Sequence, residues 1–293
     1  IYGPTASGKS KFAIQLAKKI NGEIINADSM QVYKELKILS ARPSLKDYQN
    51  IKHHLYGFQS VKNNFSTGKW LSLAKKKIQA IQRKKKVPIL VGGTGLYFKA
   101  ITNGLVKIPK VPPSVRNKIR KLQEKIGQDK FYKKLINLDP LVINKVNPND
   151  VQRSIRAYEV KFFSKVSLIN WFKKTNKYFQ DKNFLKIYID YPRQNLIKKI
   201  NSRIELMFKE GAILEVKKYL KLKVKKDQSS NKIIGIAEIQ KLIREECDFE
   251  TTKELISIKT RQYAKRQSTW ARGQMIDWQR IDPKDLKLFL KKI

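Results

Sequence analysis

Cysteine is nearly absent. Cys247 is the only one in 293 residues, which excludes an intramolecular disulfide and any Cys-rich zinc module and matches a reducing, cytoplasmic setting. Histidine is almost as scarce. His53 and His54 are the only two; they are adjacent, and no third ligand stands at metal spacing, so both are read as structural. No apolar run approaches the roughly 20 residues of a membrane span, no signal peptide is visible, and no membrane partner is expected. Acidic residues are few, 24 against 64 Lys and Arg, for a formal net charge of +40. That imbalance points to a polyanionic partner such as nucleic acid, although a lysine-rich composition by itself would account for part of it. No internal repeat is found.

What is present begins at the first residue. Gly3-Pro4-Thr5-Ala6-Ser7-Gly8-Lys9-Ser10 fills the pattern G-x-x-x-x-G-K-[ST]. In such a loop the glycines let backbone amides wind around phosphate oxygens, the lysine offers a point charge, and the Ser10 hydroxyl can hold Mg²⁺. The helix that follows aims its N-terminus at the same anion. The context fits, because apolar Ile1-Tyr2 ends a strand and Ala13, Leu16, Ala17 and Ile20 recur at helical spacing. The ligand class expected is a di- or triphosphate.

The first hundred residues alternate β-rich runs with helical stretches. Glu23 to Ala27 reads as a strand ending at Asp28, and His53 to Tyr56 as a second. Leu71, Ala74, Ile78 and Ile81 mark an amphipathic helix before the apolar strand Val87 to Val91, which ends at Gly92-Gly93-Thr94-Gly95. This alternation implies an α/β fold, a parallel sheet with helices on both faces. Ligands in such sheets sit beyond the carboxyl ends of strands, which places Asp28-Ser29 and Gly92 to Gly95 on the rim of the phosphate loop. Pro109, Pro112 and Pro113 break the pattern, and helices alone are expected from there to about residue 186. One carries Val115, Ile119, Leu122 and Ile126; another carries Val151, Ile155, Tyr158 and Phe162, with Asp150 as its N-cap. A strand returns at Leu185 to Asp190, then a helix with Leu196, Ile200, Ile204 and Met207 on one face, and the remainder reads as helical. The organisation expected is a core of residues 1–113 and 187–293 with an inserted helical subdomain, residues 114–186.

Several clusters could carry chemistry. Asp28 in Asp28-Ser29-Met30-Gln31 could act as a general base or a metal's outer ligand, but the same residues also make an ordinary helix cap. Gln152, Arg153 and Arg156 on one helix could clamp phosphates and read base edges, or form a solvated basic face. Arg203 could neutralise a leaving phosphate or lie on the surface. Thr260 to Arg272 mixes basic side chains with Tyr263, Trp270 and amides, a mixture used in RNA recognition and equally compatible with a charged amphipathic helix.

Taken in order, these stretches closely resemble the tRNA dimethylallyltransferases, or tRNA isopentenyltransferases. The resemblance rests on GPTASGKS (Gly3 to Ser10), DSMQVY (Asp28 to Tyr33), HHL (His53 to Leu55), VGGTGLY (Val91 to Tyr97), NPNDVQRSIRAYEV (Asn147 to Val160), the Arg203 to Gly211 helix and RQYAKRQSTW (Arg261 to Trp270). It spans nearly the whole chain. It implies a P-loop core with an inserted helical domain that grips the tRNA anticodon stem-loop. The implied activity is transfer of a dimethylallyl group from dimethylallyl diphosphate to the exocyclic N6 amine of the adenosine 3′-adjacent to the anticodon, releasing diphosphate with Mg²⁺. By resemblance, Gly3, Pro4, Thr5, Ala6, Ser7, Gly8, Lys9 and Ser10 would hold the diphosphate, with Ser10 at the metal. Asp28 would be the general base on the adenine amine, and Thr5 and Arg203 would steady the departing diphosphate. Ser29, Met30, Gln31, Thr94, Arg116, Gln152, Arg153, Ser154, Ile155, Arg156, Gly235, Glu238, Lys265, Arg266, Gln267 and Thr269 would line the RNA path with Asp28. The adenine would leave its stack to reach the loop.

Some positions depart from the family pattern. Ile236 stands where an aromatic residue is common, Ala271 where a larger one is usual, and Arg42-Pro43 where Lys-Pro is common. With no Cys/His zinc-finger pattern, the bacterial type of the family is expected, acting as a monomer. A small-molecule kinase would use the same loop for ATP but would not need the RQYAKRQSTW run. An enzyme prenylating free adenine nucleotides would share the loop and Asp28 without RNA-gripping segments.

Overall fold

The structure, a computed structural model, describes residues 1–293. It divides into two compact units, residues 1–100 with 181–293, and residues 101–180.

The first unit is built on parallel strands. β1 (Gly22–Asn26) lies between β2 (His53–His54) and β3 (Val87–Val91), and β4 (Ile187–Ile189) pairs with β5 (Gln279–Ile281). Residues expected to end a strand instead stitch the two sheets together. Tyr2 bridges Gly92 on one side and Tyr188 on the other, both in parallel, and Ile189 N donates to Tyr2 O at 2.9 Å. β1 is buried at every position, as a strand covered on both faces must be.

α1 (Lys9–Lys19) buries Phe12, Ala13, Leu16 and Ala17 against Ile24, Ile89, Val91, Ile187, Ile189 and Ile281. The C-terminal α11 (Leu286–Lys292) adds Leu286, Phe289 and Leu290 to this cluster. α2 (Thr67–Arg83) is capped by Ser66, whose hydroxyl accepts from Lys69 N, and buries the expected Leu71, Ala74, Ile78 and Ile81. Its Trp70 is fully buried and donates through Nε1 to Asn26 O at 2.8 Å. α3 (Gly95–Thr102) follows β3, and its Tyr97 stacks on Trp70 with ring centroids 4.2 Å apart.

Four further helices form a second core with Val32, Tyr33, Leu36 and Leu39. These are α7 (Arg193–Lys209), α8 (Ala212–Lys221), α9 (Ile236–Ile243) and α10 (Phe249–Gln274). α7 buries Leu196, Ile200, Ile204 and Met207, the stripe expected from spacing. The expectation that everything after that stripe is helical is corrected by β5. Its three residues, two of them exposed, form a strand because β4 offers an edge to pair with, not because of any alternation of their own.

The second unit holds α4 (Pro113–Leu138), α5 (Val151–Ser164) and α6 (Leu168–Lys173). Gly127 breaks α4 at φ 76°, just beyond the Ile126 end of the expected apolar stripe. Asp150 caps α5, its side chain accepting from Arg153 N. Phe131, Leu135, Ile155, Ala157 and Val160 lie in the two apolar clusters of this unit.

Candidate active site

The Gly3–Ser10 segment leaves the Tyr2 bridge and turns into α1. Gly8 occupies the N-cap with φ 79° and ψ 7°, a left-handed conformation that a side chain would strain, and Phe12 N returns to Gly8 O at 3.1 Å. Lys9 opens the helix and donates through Nζ to Pro4 O at 3.1 Å. Burial pulls its ammonium down to about 8, with Asp28 opposing the shift and Arg203 adding to it. Ser10 sits partly exposed in the first turn.

The loop is fixed from the C-terminal side by Gln267 of α10. Its Oε1 accepts from Thr5 N at 2.8 Å, and its Nε2 donates to Gly93 O at 2.8 Å. A Cβ on Gly93 would fall 2.1 Å from that Nε2, so only glycine admits the amide there. Tyr2 Oη donates to Gln267 O at 2.9 Å. Thr94 adds a third tie, accepting from Ser29 N at 2.9 Å. The phosphate-loop motif, the segment after β1 and the segment after β3 are therefore held together on one rim, as the α/β reading expects.

Thr5, Asp28 and Arg203 meet at a cavity of about 290 Å³. Arg203 Nη1 donates to Thr5 Oγ1 at 2.7 Å, and burial lowers the guanidinium's pKa while Asp28 pulls it back up. Asp28 is oriented by its own backbone turn: its N donates to Asn26 Oδ1 at 2.8 Å, and its Oδ1 accepts from Met30 N at 2.9 Å. That leaves Oδ2 free of the turn's hydrogen bonds. Most of the remaining wall is apolar, formed by Met30, Ile38, Leu39, Ile204, Met207, Ile233, Ile234 and Ile256, with Tyr263 and Arg266 of α10. Burial, with a smaller contribution from Asp28, pushes the Tyr263 phenol well above its ordinary value, so it stays a neutral donor. Spacing places Ile204 and Met207 on the apolar stripe of α7, but nothing in the sequence points to this wall as a whole. Its Ile38-Leu39 and Ile233-Ile234 lie in connections, where no periodicity marks a face.

The remaining expected RNA residues fall into two groups. Lys265, Arg266 and Thr269 are exposed on α10, and Gln152 and Arg153 on α5. Arg116 and Arg156 are also well exposed, at 46% and 41%. Others already have partners within the protein, and most of these are buried. Gln267 is buried in the bridge above. Glu238 is buried, accepts from Gly235 N at 2.8 Å and pairs with Lys259. Ser154 and Ile155 lie inside the second unit, and Gln31 spends its amide on Ser40 O and Ala41 O. For these side chains the structure gives a packing role. A purely sequential assignment overlooks this, because a motif's spacing does not say which members face inward.

The histidines behave as expected: His54 Nε2 pairs with Glu23 Oε2 at 2.7 Å, and His53 stacks on Tyr48. Of the departures, Ile236 and Ala271 are both buried. No group of three His, Cys, Asp or Glu side chains could hold a metal by itself, and no helix is long and apolar enough to cross a membrane.

A protein-family model described as IPP transferase matches residues 31–274. The chain belongs to this family of prenyltransferases. Its curated relatives carry a more specific name. The tRNA dimethylallyltransferase of Pelagibacter ubique is 59% identical over 293 residues, covering 100% of this chain and 94% of the relative. That of Allorhizobium ampelinum is 40% identical over 285 residues, covering 97% and 94%. Solved structures agree. The tRNA delta(2)-isopentenylpyrophosphate transferase of Staphylococcus epidermidis is 31% identical with a TM-score of 0.70, covering 100% of this chain and 95% of that one. A eukaryotic dimethylallyltransferase acting on tRNA is 28% identical with a TM-score of 0.84, covering 98% and 74%.

Proposed function

We propose that the chain transfers a dimethylallyl group from dimethylallyl diphosphate to N6 of the adenosine 3′-adjacent to the anticodon of tRNA, releasing diphosphate. The observation that carries this reading is one small cavity in which Thr5, Asp28 and Arg203 meet an apolar wall. Its volume lies near the low end, roughly 300 Å³, of ligand pockets, which suits a short acyclic chain.

In this reading the Gly3–Ser10 turn and Lys9 hold the diphosphate as the phosphate loop of a P-loop core. Leu39, Met207 and Ile233 receive the prenyl chain. Arg203, pre-positioned by its bond to Thr5, meets the negative charge that grows as the donor's C1–O bond breaks. The adenine N6 lone pair attacks C1, a C–N bond forms, and the amine proton passes to Asp28 Oδ2. A primary allylic centre and a weakly nucleophilic amine make this step depend on positioning and electrostatics.

Mg²⁺ belongs to the same reading. The protein offers it the Ser10 hydroxyl rather than a carboxylate cage, which fits a cation that keeps its waters and phosphate oxygens. Bound there, it would neutralise diphosphate charge. The inserted helical subdomain expected over residues 114–186 grips the anticodon stem-loop, a reading supported by exposed Arg116, Gln152, Arg153 and Arg156. A cytoplasmic, monomeric enzyme completes the proposal. The test is incubation of the purified protein with undermodified tRNA and dimethylallyl diphosphate. A prenylated adenosine beside the anticodon is expected, with ATP unable to substitute. Consumption of ATP without tRNA prenylation contradicts the proposal and favours a kinase.

A further inference from the structure

One carboxylate in the second unit has an unusual setting. Glu159, on α5, is only 3% exposed at its side chain, yet three arginines from two helices converge on it. Arg116 Nε and Arg120 Nε, one turn apart on α4, stand 3.7 and 3.8 Å from Oε1, and Arg156 Nη1 stands 3.4 Å from Oε2. The first two distances exceed hydrogen-bond reach, and neither Oε1 nor Arg120 Nε has another hydrogen-bond partner. Arg116 and Arg120 therefore attract Oε1 by charge without locking, while Arg156 donates a long hydrogen bond to Oε2. All three arginines remain 36–46% exposed, and three guanidinium groups against one carboxylate leave the cluster cationic.

Without the acid, three like charges this close would repel one another and splay. We propose that Glu159 is a positioning residue. It gathers Arg116, Arg120 and Arg156 into a preorganised receptor for phosphodiester groups of an RNA strand, with Arg120 a further phosphate contact. The inference rests on the tRNA reading above and deepens it. Preorganised guanidinium forks lose less freedom on binding, which is where the gain in affinity arises.

The sign of one substitution separates this role from simple charge. Glu159→Gln makes the protein more cationic, so bulk electrostatics alone tightens RNA binding, whereas loss of positioning weakens it. The experiment measures the affinity of the full chain for an unmodified anticodon stem-loop RNA across a salt series, alongside melting temperature. Glu159→Gln is expected to weaken binding about tenfold at 100 mM salt. Arg120→Gln, at a partly exposed site, is expected to lower the slope of log K against log salt by about 0.7 to 0.9, the value of one phosphate contact. Glu159→Gln that binds as tightly as wild type or tighter, or Arg120→Gln with a wild-type slope, overturns the inference. So does a Glu159→Gln protein whose melting temperature falls while affinity and slope stay unchanged, because that outcome marks a merely structural acid. A wild-type chain without salt-dependent RNA affinity overturns the proposed function itself, a failure distinct from these.

Discussion

At the scale of single residues, Asp28 and Lys9 have opposite electrical tasks in the proposed reaction, and each charge is felt by the other. Asp28→Asn keeps an oxygen to accept the Met30 amide but removes the base. We expect it to lower the single-turnover prenylation rate by about 10²- to 10⁴-fold with little change in tRNA affinity. An unchanged rate removes Asp28 from catalysis. Lys9 gives a pH prediction whose sign follows from its environment. Burial favours the neutral amine and brings the pKa down to about 8, so the cation proposed to hold the diphosphate is present below that pH and lost above it. The kcat/KM for the donor, which reports the free enzyme, is expected to fall as pH rises through about 8. A profile flat to pH 10 contradicts this.

At the scale of elements, the apolar wall is held by a device from a distant helix. Glu215 of α8 accepts three successive amides, from Lys37 at 2.7 Å and Ile38 at 2.8 Å on Oε1 and from Leu39 at 3.0 Å on Oε2. Losing such a cap costs on the order of 1–2 kcal/mol. Glu215→Ala is therefore expected to raise donor KM roughly tenfold while tRNA affinity holds. A fall in melting temperature with donor KM unchanged would show that the clamp does not shape the site. Long periodic elements were legible in the sequence: α2 and α7 bury the residues their spacing selects, and Asp150 caps α5 as its type suggests. β5 was not, because three residues with only Ile281 buried carry no pattern without β4 beside them. The same reason hid the pocket wall. Thr5, Asp28 and Arg203 could be named from motifs, but Ile38, Leu39, Ile233 and Ile234 meet only after the chain has folded. Glu159 stood inside a recognised motif, yet only its burial among arginines shows its place.

At the scale of the whole molecule, a net charge of +40 provides attraction to any nucleic acid, not selectivity. It predicts steep salt dependence. If about six to ten phosphates are neutralised, tRNA affinity falls by about 10³- to 10⁵-fold between 50 and 200 mM salt. A slope equivalent to one or two contacts would mean that the basic surface is largely unused. In the proposed function, selectivity for the target adenine comes from the cavity, where donor and adenine would be required together. The most direct measurement of that claim is a crystal structure with an unreactive dimethylallyl diphosphate analogue and an anticodon hairpin. The account predicts the diphosphate within the Gly3–Ser10 turn beside Lys9 and Arg203, the prenyl chain against Leu39, Met207 and Ile233, and the extruded adenine's N6 at Asp28. A prenyl chain lodged away from that turn, or an adenine that never reaches Asp28, would contradict it.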